Sequence, residues 1–180
     1  MNRSATEKRL NLWWVWNYRQ EETRLDKLSQ QGLQFERPRP FYAVFLRDHS
    51  TRYVYRLDYQ PRLKRQEDLR HYLDLYQDAG WEYKGCLKGW RYFRRTWSSD
   101  ERPSLYTDQT SLKQLYRRIQ HLLGAVFGIE MALFALDLMI GARRAFSLKL
   151  PLLGIWGALF LFLAYGYLKI RGKVRQMDQI

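Results

Sequence analysis

The stretch GLQFERPRPFYAVFLR, Gly32 to Arg47, can be laid over GWEYKGCLKGWRYFRR, Gly80 to Arg95, at a constant shift of 48 with no gap. Gly32 falls on Gly80, Leu33 on Trp81, Phe35 on Tyr83, Tyr42 on Trp90, Phe45 on Phe93 and Arg47 on Arg95. Each copy holds two short aromatic runs separated by turn residues, RPRP in one and KG in the other, which is the pattern of a strand pair. Working outward, a polar segment precedes each glycine. In Arg19–Gln31, Leu25 and Leu28 stand at helical spacing, and in Arg65–Ala79, Leu69, Tyr72, Leu73 and Tyr76 follow i, i+3, i+4, i+7. A glycine closing each helix takes the left-handed conformation without a side-chain clash.

Upstream of each helix the pattern predicts a further strand, LNLWWVWNY (Leu10–Tyr18) before the first and TRYVYRLDY (Thr51–Tyr59) before the second. In the latter, Tyr53, Tyr55, Leu57 and Tyr59 share one face and Arg52, Val54, Arg56 and Asp58 the other. The expectation is an α+β fold: a strand–helix–strand–strand unit written twice, with halves at about 10–60 and 61–110. Half a sheet buries its rings poorly, so the two halves are expected to join into one antiparallel sheet with both helices on one face. SLYTD (Ser104–Asp108) offers an extra strand.

The C-terminal third differs in character. IQHLLGAVFGIEMALFALDLMI (119–140) and LKLPLLGIWGALFLFLAYGYLKI (148–170) each match the roughly 20 residues a helix needs to cross a bilayer. A domain over 1–112 followed by a transmembrane hairpin over 113–180 is the expected organisation, with the bilayer as the first partner. Lys113, Arg117, Arg118, Lys169, Arg171, Lys173 and Arg175 flank the spans on one side, against Arg143, Arg144 and Lys149 in the connection. That bias favours both termini in the cytoplasm. A lone cysteine, Cys86, suits a reducing compartment, and the N-terminus shows no secretory signal.

Tyr53–Tyr59 (YVYRLDY), Leu75–Tyr83 (LYQDAGWEY), Trp90–Arg95 (WRYFRR) and Leu105–Asp108 (LYTD), followed by a membrane hairpin, resemble the bacterial domain of unknown function 2812 family. The resemblance covers about residues 10 to 110. It implies a small membrane protein, often encoded beside a PadR-type transcriptional regulator, with no established activity and no catalytic residue to carry over. A PadR-type regulator is therefore an expected partner on resemblance alone. The tandem units are also similar in architecture to the gyrase-inhibitor-like effector-binding domains, which hold hydrophobic cations between their halves. That likeness points to the seam where the two copies meet.

Chemistry-bearing constellations are few. His49, His71 and His121 are scattered, without ligand spacing to Cys86, and no phosphate-binding glycine loop or nucleophile motif occurs. No metal, cofactor or catalytic residue is expected, and the chain reads as non-enzymatic. Aromatics make up 16% of residues, and Tyr53, Tyr55, Trp81, Trp90 and Tyr92 are either core beneath the helices or the lining of a pocket at the seam. In the second case Asp58 or Glu82 orients a cationic ligand, and the rings add cation–π attraction.

Residues 1–118 hold 24 Lys+Arg against 15 Asp+Glu. Arg91, Arg94 and Arg95 beside aromatics also occur in nucleic-acid binders, but docking on an anionic leaflet accounts for the charge without a further partner, and nucleic acid is disfavoured.

In the first span Glu130 and Asp137, seven residues apart, fall on one helix face. Gly124 and Gly128 form a GxxxG, and Gly154 and Ala158 a small stripe in the second span. These stripes are expected to pack together and turn the acidic face away from the hairpin. Glu130 then either stays neutral, or bonded within its own hairpin to a group such as Tyr165, or meets a second copy or another membrane protein. The combined expectation is a membrane-anchored sensing or interaction module binding a ligand or protein at the seam, or a membrane regulator that restrains a transcription factor.

Overall fold

The computed structural model describes residues 6–63, 65–99, 104–106, 109–141 and 146–178, with side chains described outside 140–150. It divides into two compact units, Met1–Thr107 and Asp108–Ile180. The first is α+β: β1 (Thr6–Leu10), a 3-10 turn (Val15–Asn17), α1 (Tyr18–Gln30), β2 (Leu33–Pro38), β3 (Tyr42–Arg47), β4 (Tyr53–Tyr59), α2 (Gln66–Asp78), β5 (Glu82–Leu87) and β6 (Trp90–Thr96). The second holds α3 (Gln109–Gly141) and α4 (Phe146–Asp178).

The helices end where the glycines stand. Gly32 and Gly80 have φ of +78° and +80°. After α2 the Gly80 N–H donates to Gln77 O at 2.8 Å and Trp81 N–H to Tyr76 O at 2.9 Å, so two of the carbonyls left over by the last turn are satisfied. At Gly32 the need is double, because a Cβ there would lie 2.2 Å from the His49 ring. Lys88 and Gly89, both at positive φ, make the two-residue turn between β5 and β6.

The strands form two three-stranded antiparallel sheets, ordered β1-β3-β2 and β4-β6-β5, in place of the single sheet expected. The edges β2 and β5 abut, yet no ladder joins them. Each carries a register shift, at Phe35/Arg37 and at Tyr83/Gly85, and β2 ends on Pro38, which has no N–H to give. The residues skipped in the two ladders, Glu36 and Lys84, pair with each other at 2.9 Å. Gly85 lies so close to the first sheet that a Cβ would meet Pro38 Cδ at 2.8 Å.

Three further expectations are corrected. Leu10–Tyr18 is not a strand: β1 lies earlier, and the tryptophan run forms a connection and a 3-10 turn, with Trp14 and Trp16 stacked at 5.6 Å. No strand forms over Ser104–Tyr106 (Thr107 and Asp108 lie outside the described residues). β4 pairs only in the second sheet, so the strand sets divide between Arg47 and Tyr53 rather than at residue 60.

Nor do the helices share a face. Tyr72, Leu73 and Tyr76 of α2 pack on a buried cluster of Val54, Trp81, Phe93 and Leu105, while α1 runs along β4 and β2. β4 is an edge strand, and its outward N–H groups at residues 53, 55 and 57 need acceptors. Helix α1 supplies them at one-turn intervals. Tyr53 N–H donates to Ser29 Oγ at 2.7 Å, Tyr55 N–H to Asp26 Oδ1 at 2.6 Å and Leu57 N–H to Glu22 Oε1 at 2.9 Å. Asp26 also pairs with Arg56 at 2.9 Å. Replacing Asp26 by Ala leaves the part-buried Tyr55 amide without its acceptor and takes one of its acceptors from the Arg56 guanidinium. It is expected to destabilise the domain by about 2 kcal/mol, seen as a lower unfolding midpoint of the full chain in mild detergent. Unchanged stability would contradict the edge-capping role.

Candidate functional site

The seven residues expected to line a seam pocket are spread over both faces of the second sheet. Tyr55, Tyr92 and Trp90 face the first sheet, at 0%, 0% and 3% exposure. Phe35 of β2 stacks on Tyr92 at 4.8 Å and meets Tyr55 edge-on at 5.9 Å. The Tyr55 hydroxyl accepts from Phe35 N–H at 2.9 Å. Trp90 is enclosed by Trp13, Tyr18 and Tyr59. At the seam these rings pack against one another as buried core.

Trp81 and Asp58 lie on the opposite face. Trp81 belongs to the cluster under α2. Asp58 is fully buried and accepts from the hydroxyls of Tyr72 (2.7 Å) and Tyr106 and from the Gln60 amide (3.1 Å). Burial and the Asp58 carboxylate together push the Tyr72 hydroxyl far above the usual tyrosine range. The carboxylate thus fastens α2 and the segment at Tyr106 to β4. Nothing in the spacing of Tyr72 and Tyr106 revealed them as its partners. Tyr53 and Glu82 lie at the surface end of the sheet, where Glu82 binds the Arg94 guanidinium through two contacts (2.6 and 3.0 Å) and Arg94 covers the Tyr53 ring at 4.2 Å.

Two features went unread in the sequence. The first is an exposed apolar edge. Leu10, Leu12, Trp14 and Phe41 are 69, 70, 56 and 70% exposed. Asn11 N–H donates to Phe41 O at 3.0 Å, holding the two segments side by side. Lys8, Arg37, Arg39 and Pro40 are exposed on the same strands and turn. The apolar run at Leu12–Trp14 was visible, but reading it as a strand hid its exposure.

The second is in the helical unit, where two helices are long and apolar enough to cross a membrane, with 11% and 6% of their apolar windows buried. Their contact reverses the expected one. Gly124, Gly128 and Gly154 have nothing within 4 Å of an added Cβ, and Ala158 is exposed. Packing runs instead through Leu123, Phe127 on Phe160 (5.2 Å) and Phe134 on Trp156 (5.8 Å). Glu130 sits in that line, 6% exposed, and Asp137 is half-buried. Large side chains at seam positions hold the axes apart, so the small stripe gains nothing by facing inward.

Among the described residues no group of three or more His, Cys, Asp or Glu is placed to hold a metal ion. A family model described as "Protein of unknown function (DUF2812)" matches residues 17–127, from the start of α1 into α3. No curated protein and no solved structure matches the chain.

Glu22, the third acceptor on α1, is a titratable group in the domain's internal contacts. Burial pushes its carboxyl from the ordinary 4.5 up to about 7, against the opposing pull of the Leu57 N–H and Arg56. A carboxyl raised on folding stabilises the fold fully below about pH 4.5 and loses that contribution as pH rises through about 7. Glu22→Gln keeps the acceptor without the titration. Its unfolding midpoint is expected to fall less than the wild type's between pH 4.5 and 7 and to lie a few degrees higher above that range. Parallel pH profiles for the two proteins would refute the assignment.

Proposed function

Since the chain belongs to the DUF2812 family of proteins of unknown function, whose membership carries no activity to transfer, we propose from its own surfaces that it is a membrane-anchored, non-enzymatic interaction module. Its α+β domain works on the cytoplasmic side, docked on the anionic leaflet through the edge formed by Leu10, Leu12, Trp14 and Phe41. The observation that carries this reading is the pairing of four exposed apolar side chains with exposed Lys8, Arg37 and Arg39.

Trp, Phe and Leu suit the headgroup boundary, and each Lys or Arg near an anionic leaflet contributes about 1 kcal/mol. Tethering by α3 and α4 raises the domain's effective concentration at the bilayer, so a modest patch suffices. The cationic flanks of the two spans, seven against three in the connection, favour cytoplasmic termini.

Descent from a duplicated unit fits the same molecule. Both sheets have the order first, third, second strand. Both helices close on a positive-φ glycine, and both ladders slip at positions 48 apart, where Glu36 and Lys84 meet. In this reading duplication supplies a filled aromatic seam, and binding is left to the domain's outer edge.

The test uses Cys86→Ser with Phe41→Cys carrying an environment-sensitive fluorophore, in the full chain reconstituted in nanodiscs. Emission should shift to the blue in phosphatidylglycerol relative to phosphatidylcholine. The shift should vanish at high salt and in the Lys8→Glu, Arg39→Glu variant. Water-like emission in both lipids overturns the docking, and an equal shift in lipid-free detergent overturns it in favour of a second copy or a protein partner on this edge.

A further inference from the structure

Glu130 presents an unusual combination. Its side chain is 94% buried by the hairpin's own packing (6% exposed), and neither carboxylate oxygen has a hydrogen-bond partner among the described residues. It does not fill the space around it: it borders a half-open cleft of about 280 Å³ between α3 and α4, walled by Phe134, Leu153, Trp156, Gly157 and Phe160. Phe134 and Trp156 meet edge-on at 5.8 Å, so the wall is a fixed aromatic corner.

We infer that this cleft is a binding site for a small lipophilic cation, an amine or quaternary ammonium carrying apolar groups. A buried carboxylate without donors is costly in apolar surroundings, and a cation beside it removes that cost. The ring faces of Trp156, Phe134 and Phe160 attract the same charge, and the apolar walls take the ligand's hydrocarbon. A neutral ligand uses only the walls, and an anion is repelled, so charge sign is the property the cleft selects.

A second copy of this chain is a poor source of the cation. No Lys or Arg occurs between Ile119 and Ile140 or between Pro151 and Leu168. Gly157 lines the cleft, and a Cβ added there meets nothing within 4 Å, so a larger side chain can be introduced at its wall. The site is separate from the docking edge of the α+β domain and does not depend on it. It does rest on α3 and α4 lying in a bilayer, from which such a ligand partitions.

The test is a titration of the purified full chain with benzyltrimethylammonium, followed by saturation-transfer NMR, in nanodiscs and in detergent micelles. Saturable binding is expected, weakened at least tenfold in Glu130→Gln and lost in Gly157→Leu, which occupies the cleft but keeps the carboxylate. The uncharged isostere neopentylbenzene should not distinguish wild type from Glu130→Gln. Absence of a saturable component, or Glu130→Gln within twofold of wild type, overturns the site. If Glu130→Gln does not yield folded protein, undiminished binding by Gly157→Leu overturns it equally. Failure to recover the chain in nanodiscs or in carbonate-washed membranes sinks the bilayer reading, while the micelle titration still decides the cleft.

Discussion

Three side chains on one stripe of α1 decide how the α+β unit holds together. Ser29, Asp26 and Glu22 receive the N–H groups of Tyr53, Tyr55 and Leu57, which β4 turns away from its own sheet. An edge strand ordinarily offers such amides to water or to another chain. Here a helix from the other strand set takes them, and the spacings agree: acceptors about one helical turn apart meet donors two strand residues apart. Gln34, buried in β2, extends the join by donating to the carbonyls of Ser29, Asp48 and Thr51. The connection from β3 to β4 is thereby pinned to the end of α1, and the aromatic seam closes above it.

How much of this could be read in advance follows from the range of each interaction. Both helices, their terminal glycines, the Lys88–Gly89 turn and the alternation of β4 are local matters of period and backbone conformation, and the residues state them openly. The split into two sheets was not legible. It depends on bulges at Glu36 and Lys84 and on Pro38 facing a neighbouring strand, and bulges leave no periodic trace. The tryptophan run misled because apolar residues close together imitate a strand. Trp16 is buried and Trp14 exposed because a 3-10 turn, rather than a pleat, sets their directions.

The same distinction governs the site residues. Tyr55, Trp90 and Tyr92 are aromatic and buried, but whether rings fill a space or surround one depends on how the opposing sheet interdigitates, which no single strand encodes. For the hairpin, helical geometry placed the acids and the glycines on different faces of α3. It could not say which face turns inward. Bulk decided that: Phe127, Phe134, Trp156 and Phe160 need one another's surface, and Glu130 lies on their line.

The borrowed edge also bears on how the chain comes to exist. As it leaves the ribosome, α1 emerges some two dozen residues before β4, so Glu22, Asp26 and Ser29 wait in solvent until their strand arrives. Until then the leading half lacks the strand whose N–H groups these side chains accept. Such a chain tolerates lengthening at the Asp48–Arg52 link far less readily than at the Lys88–Gly89 turn, because the former spans the join and the latter only returns a strand upon its neighbour.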